Sequence, residues 1–139
     1  MARIAWDTNV FVYLLEDKGH LGQKVAELRK RMSLRGDTLC TSWLTYGELL
    51  VKPHQLGRSD LALRYAELLI RGAELVEFGR KAAEVFPAIR LQGTKPADAI
   101  QLACAAQAGV DLFVTNDQRL TSLRVPGITF ITTIETAPL

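Results

Sequence analysis

Alternation constrains this chain more than any single motif does. Five short runs rich in β-branched and apolar residues, Ile4–Trp6, Thr38–Thr41, Leu75–Phe78, Leu112–Thr115 and Ile128–Ile131, read as strands. The segments between them carry helical periodicity instead. Leu21, Val25, Leu28 and Met32 form a narrow apolar stripe, and Leu61, Tyr65, Leu68 and Leu69 a broader one. Ser59 is placed to cap the second of these helices and Gly72 to stop it. Pro96 fits the first turn of a helix that runs to Ala108 with Gly109 behind it. Proline loses nothing there, because the first turn leaves its N–H groups unpaired anyway, and glycine tolerates the left-handed turn that ends a helix. Strands separated by helices pair through crossovers rather than hairpins, so the pattern predicts a parallel sheet with helices on both faces. With 139 residues, no repeat and no linker, the expectation is one domain over residues 1–139.

Composition narrows the class. Apolar residues at 48% and charged ones at 23% are those of a folded globular chain and exclude extended disorder. A net charge of +2 demands no nucleic acid by itself, so any such partner must be met by a local basic face. No stretch approaches the roughly 20 apolar residues of a membrane helix. Asp7 breaks the N-terminal apolar segment too early for a signal peptide, so a cytoplasmic protein with no membrane contact is expected. Cys40 and Cys104, each among small and apolar residues, read as buried thiols of a reducing compartment. His20 and His54 lack a second ligand at metal spacing.

Four carboxylates stand alone in otherwise uncharged runs. Asp7 is the only charge from Ile4 to Leu15, Glu48 the only one from Thr41 to Val51, and Asp98 the only one from Pro96 to Val110; Asp117 closes "LFVTND". Asp7 and Asp117 fall just past the carboxyl ends of strands, where ligands gather in open α/β sheets. Asp98 in a first helical turn, and Glu48 in the helix after the second strand, lean toward the same edge. Asp111 precedes its strand and belongs to the opposite rim. Each acid also has a purely structural reading: Asp7 and Asp117 as helix caps, Asp98 as a favourable charge at a helix start, Glu48 as a solvated side chain. Four carboxylates brought together cannot all stay ionised unaided, and a divalent cation relieves them. Hard oxygen ligands without thiols or imidazoles favour Mg²⁺ or Mn²⁺, the equipment of metal-assisted phosphodiester hydrolysis.

In order along nearly the whole chain, "WDTNVFV", "YGELL", "KPADAIQLACAAQAG" and "LFVTND" resemble the acidic motifs of the PIN-domain nucleases. Among these the chain is most similar to the small VapC-type toxins of toxin–antitoxin pairs. The resemblance implies a three-layer α/β/α sandwich with a central parallel sheet and Mg²⁺- or Mn²⁺-dependent endoribonuclease activity, in which a metal-activated water hydrolyses RNA. It also implies a homodimer and inhibition by a cognate, VapB-like antitoxin. By motif position it makes Asp7, Glu48, Asp98 and Asp117 the catalytic and metal-site acids, with Asn9 and Thr115 in support. Two alternatives stay open: a PIN-domain RNA-processing nuclease without an antitoxin, and a non-catalytic RNA-binding module. Haloacid-dehalogenase-like phosphatases need Asp-x-Asp, and here Asn9 holds the second acidic position; receiver domains need an acidic pair that is missing.

RNA reaching an acidic site needs cations around it to neutralise phosphates. Lys52, Lys95 and Arg119, close in sequence to Glu48, Asp98 and Asp117, are the candidates. The run "LRKRMSLR", with Arg29, Lys30, Arg31 and Arg35, is either a steering surface, a face for an acidic antitoxin segment, or a solvated helix face. The stripe from Leu61 to Ile70 serves either a dimer interface or the core.

Overall fold

The structure is a computed structural model that describes residues 1–17 and 19–138. Five strands, β1 (Arg3–Trp6), β2 (Thr38–Ser42), β3 (Glu74–Val76), β4 (Leu112–Thr115) and β5 (Phe130–Thr133), form one sheet in the order β3-β2-β1-β4-β5, every neighbouring pair parallel. Six α-helices connect them: α1 (Thr8–Glu16), α2 (His20–Arg35), α3 (Trp43–Gln55), α4 (Ser59–Gly72), α5 (Arg80–Arg90) and α6 (Pro96–Ala108). A 3-10 helix, Gln118–Ser122, follows β4.

The period-two alternation of strand side chains splits the core into two layers. Ile4, Trp6, Leu112 and Val114 point to one face, where Val10 and Phe11 of α1, Val25, Leu28 and Met32 of α2, Leu49 of α3 and Tyr65 and Leu69 of α4 cover them. Ala5 and Phe113 point to the other, against Ala82 and Ile89 of α5 and Ala99, Leu102 and Ala103 of α6. This is the expected α/β/α sandwich. The α4 stripe goes largely into the core through Tyr65 and Leu69, while Leu63 and Ile70 face outward.

Three local expectations are corrected. Ser59 is the first residue of α4 and not its cap: Gly57 turns the chain at φ 63°, and the α4 bonding begins with Ala62 N–H donating to the Arg58 carbonyl at 3.1 Å. β3 stops at Val76, because a bend in which the Gly79 N–H donates to the Glu77 carbonyl at 3.0 Å takes Phe78 off the sheet. β5 begins at Phe130 rather than Ile128. The Ile128 N–H is spent on the Val125 carbonyl at 3.1 Å, closing a turn in which Gly127 has φ 101° and lies so near the Ala106 backbone that a Cβ would sit 2.7 Å from its oxygen. Pro96 opens α6 as expected, and Gly109 ends it at φ 66° with its N–H on the Ala105 and Ala106 carbonyls.

Candidate metal centre

Strand order places the site. Moving out from β1, the chain fills one side with β2 and β3 and the other with β4 and β5, so a crevice opens between the carboxyl ends of β1 and β4. Asp7 stands there, tied to the neighbouring strand by its own N–H on the Val114 carbonyl at 2.9 Å. It is almost fully buried, at 5% exposure. Its Oδ1 accepts from the Thr8 N–H at 2.9 Å, which is the expected helix cap, and its Oδ2 accepts from the Thr115 hydroxyl at 2.8 Å and, more weakly, from Asn9 Nδ2 at 3.4 Å. Asn9 in turn accepts from the Asn116 N–H at 3.0 Å, so Asn9 and Thr115 both fix the position of Asp7 between the strand ends.

Those bonds do not offset the cost of burying the charge. Desolvation lifts Asp7 from the usual carboxylate range to about 6, against the hydroxyl and N–H donors that lower it, and the nearby Asp98 and Glu48 push in the same direction as burial. Asp98, in the first turn of α6, is also raised, first by burial and next by Asp117. Asp117 is the exception. Arg119 clasps it, with Nε and Nη2 donating to its two carboxylate oxygens at 3.0 and 2.8 Å and the Arg119 N–H adding a third bond at 3.0 Å; these bonds hold it below the usual range. Like Asp7, it also caps the helix that follows it.

Glu48 reaches the site from α3 through side chains that the charge pattern did not mark. Its Oε1 accepts from the Thr8 hydroxyl at 2.7 Å and from Gln101 Nε2 at 3.2 Å. Gln101 is buried in α6 one turn beyond Asp98. Its Nε2 also faces the Thr45 hydroxyl at 2.7 Å and that of Thr8 at 3.0 Å, and its Oε1 accepts from the Ser42 hydroxyl. A signal for it existed: Gln101 is the only amide in the apolar run from Ala99 to Ala106, at the spacing that puts it on the Asp98 face. Thr8, Ser42 and Thr45 carried none.

The cations differ in what they touch. Lys95 and Arg119 bound a cavity of about 170 Å³ that Asp98 and Asp117 also line. Lys52 instead pairs with Glu16 of α1. In the basic run of α2, Arg31 pairs with Glu27 at 3.2 Å and Arg35 with Asp37 at 3.1 Å.

The acids therefore share one edge without closing on a common point. Among the described residues, no three of the His, Cys, Asp and Glu side chains are oriented to hold one metal ion. Three of the four are turned instead to protein donors: Asp7 to Thr8 and Thr115, Glu48 to Thr8 and Gln101, Asp117 to Arg119. The donor chemistry nonetheless fits a hard divalent cation. It is all carboxylate oxygen, and two of its members are held in an environment that disfavours their charge.

The model of the PIN domain matches residues 4–126, which takes in all four acids. The chain belongs to the PIN domain family. PIN domains are a nuclease family and generally use divalent metal ions. Among solved structures, this PIN domain is similar to a chain of the DNA-bound VapBC complex of Salmonella typhimurium, with 25% identity, a TM-score of 0.73 and coverage of 96% of this chain and 99% of that one. It is similar in fold to a chain of VapBC2 from Rickettsia felis bound to a promoter DNA fragment, at 14% identity and a TM-score of 0.75 over 94% and 98% of the two chains. The same holds for VapBC-5 from Mycobacterium tuberculosis, at 18% identity and a TM-score of 0.62 over 96% and 99%. Among curated proteins none matches the chain. No described helix is long and apolar enough to cross a membrane.

Proposed function

We propose that this PIN domain is a metal-dependent endoribonuclease and the toxin of a VapBC-type pair, held in check in the cytoplasm by a VapB-like antitoxin. One observation carries the catalytic part: Asp7, Glu48, Asp98 and Asp117 come from four separate segments to the carboxyl edge of the sheet, where burial and neighbouring carboxylates raise Asp7 and Asp98 and, among the described residues, no buried Lys or Arg answers them. The toxin part is supported by the VapBC complexes among the structural neighbours. Homodimerisation belongs to the same reading.

Asp7, Asp98 and Asp117 are the residues that would hold Mg²⁺ or Mn²⁺, and Glu48 either adds a ligand or orients the attacking water. The ion, when bound, supplies water activation and neutralises charge on the phosphate oxygens. Everything else falls to the chain. Thr115 and Asn9 keep Asp7 aimed between the strand ends, and Gln101 and Thr8 set the reach of Glu48. Lys95 and Arg119 meet the RNA backbone, with Lys52 farther along α3. Water adds to phosphorus as the bond to the 3′ oxygen breaks, leaving 5′-phosphate and 3′-hydroxyl ends. The test is RNA cleavage with Mg²⁺ or Mn²⁺ by the wild type and by Asp7→Asn and Asp98→Asn. Cleavage lost in both variants and in chelator supports the reading, and full activity in a folded variant sinks it. Growth arrest relieved by co-expression of the neighbouring small gene supports the toxin assignment; arrest that no neighbour relieves contradicts it.

A further inference from the structure

Arg119 is misplaced for a simple phosphate contact. Its guanidinium grips both oxygens of a carboxylate through Nε and Nη2, and the carboxylate is one that the reading above assigns to the cation. Asp117 already accepts three bonds, all from Arg119. A cation approaching Asp117 must therefore compete with the chain's own Arg119. The side chain is free to leave, because it is 73% exposed and its residue belongs to a five-residue 3-10 helix.

A destination adjoins it. The cavity of about 170 Å³ beside the pair is lined by Thr94, Lys95, Asp98, Asp117 and Arg119. Thr94 is buried at 5% exposure, and its hydroxyl has no hydrogen-bond partner. A buried hydroxyl without a partner is costly, and Thr94 lines this cavity beside Lys95, whose ammonium a phosphate oxygen entering it would meet. With Asp98 and Asp117 both neutralised by the cation, the cavity loses the charges that keep anions out.

Resting on the nuclease reading above, we propose that Arg119 exchanges partners: it occupies Asp117 until a divalent cation takes that carboxylate, and then turns to an RNA phosphate in the Thr94–Lys95 cavity. Arg119 thus couples metal occupancy to substrate binding. Without the cation it blocks the site by supplying the missing positive charge itself, and with the cation it reads the substrate.

The experiment is Mn²⁺ binding to the purified protein, followed by electron paramagnetic resonance without RNA, for the wild type and for Arg119→Ala, Arg119→Lys and Lys95→Ala. Removing the competing pair should tighten Mn²⁺ binding about three- to fivefold in Arg119→Ala, the scale of an exposed ion pair. Arg119→Lys, which keeps the charge but cannot grip both oxygens, should also tighten it, though less. Lys95→Ala removes an equal charge without freeing a carboxylate and should change it less than Arg119→Ala does. In the cleavage assay, Arg119→Ala should raise KM for RNA severalfold at saturating Mn²⁺. Unchanged or weaker Mn²⁺ binding in Arg119→Ala, or equal tightening in Lys95→Ala, overturns the exchange while leaving the nuclease reading intact. No Mn²⁺ uptake by the wild type overturns both.

Discussion

The two rims of the sheet use the same residue types to opposite ends. At the amino rim, Asp111 accepts from the Arg3 N–H at 2.8 Å, Asp37 from the Ala2 N–H at 2.8 Å, and Glu74 pairs with the Arg3 guanidinium at 2.8 Å. Each acid there meets a cation or an N–H that ties one strand to the next, and Glu74 is held below its usual range by Arg3. At the carboxyl rim, Asp7 is pushed up by burial and by Asp98 and Glu48, Asp98 by burial and by Asp117 and Glu48, while Asp117 is paired with Arg119. One rim has its acids paired and closes the fold. The other is left short of positive charge, and a protein keeps such an arrangement where a ligand supplies what is missing.

The sharpest break between the rims is activity. Asp98→Asn should cost cleavage at least about 100-fold, as expected when charge stabilisation at a reacting phosphate is removed. Asp111→Asn should leave cleavage within about twofold. A cleavage assay at saturating Mg²⁺ compares them, and a similar loss in both would erase the distinction.

Stability should run the other way. Because Asp7 is raised to about 6 in the folded chain, from 3.8, its ionisation weakens the fold as pH rises through that interval. Its favourable, protonated contribution is complete below about pH 4 and gone above about pH 7. Asp7→Asn should thus gain about 1–3 kcal/mol at pH 8 without divalent ions, and nothing at pH 4. Thermal melts across this range check it; an Asn variant less stable at pH 8 would contradict the burial cost.

Between the two extremes lies the polar network under Glu48. Gln101→Leu fills similar space but strands the hydroxyls of Ser42 and Thr45, so it should destabilise by about 1–2 kcal/mol by denaturant titration. The smallest effect belongs to the amino rim, where Glu74→Gln leaves a half-exposed pair broken and should cost under about 1 kcal/mol with cleavage unchanged.

The carboxyl-rim acids were legible in the sequence because each is a lone charge in an uncharged run, and a lone charge is costly wherever that run is buried. The parallel sheet was legible for a similar reason, since alternating periods leave few topologies. Element ends were less so. Ser59, Phe78 and Ile128 were misplaced by one or two residues because turns at Gly57, Gly79 and Gly127 decide where bonding starts, and those depend on backbone contacts such as Gly127 against Ala106. Thr8, Ser42 and Thr45 left no trace, as hydroxyls are common at helix starts whether or not they hold a glutamine. The grip of Arg119 on Asp117 was hidden too: two residues apart in sequence, they read as a ligand and a separate RNA contact, and only the fold shows them bound to each other.

A Mn²⁺ titration by electron paramagnetic resonance on the wild type, Asp98→Asn and Asp111→Asn tests the central claim most directly, that the carboxyl rim is a divalent cation site. The wild type and Asp111→Asn should bind Mn²⁺ alike, and Asp98→Asn should bind at least about tenfold more weakly, as loss of a charged oxygen ligand implies. Binding that Asp98→Asn leaves intact, or that Asp111→Asn weakens equally, would contradict it.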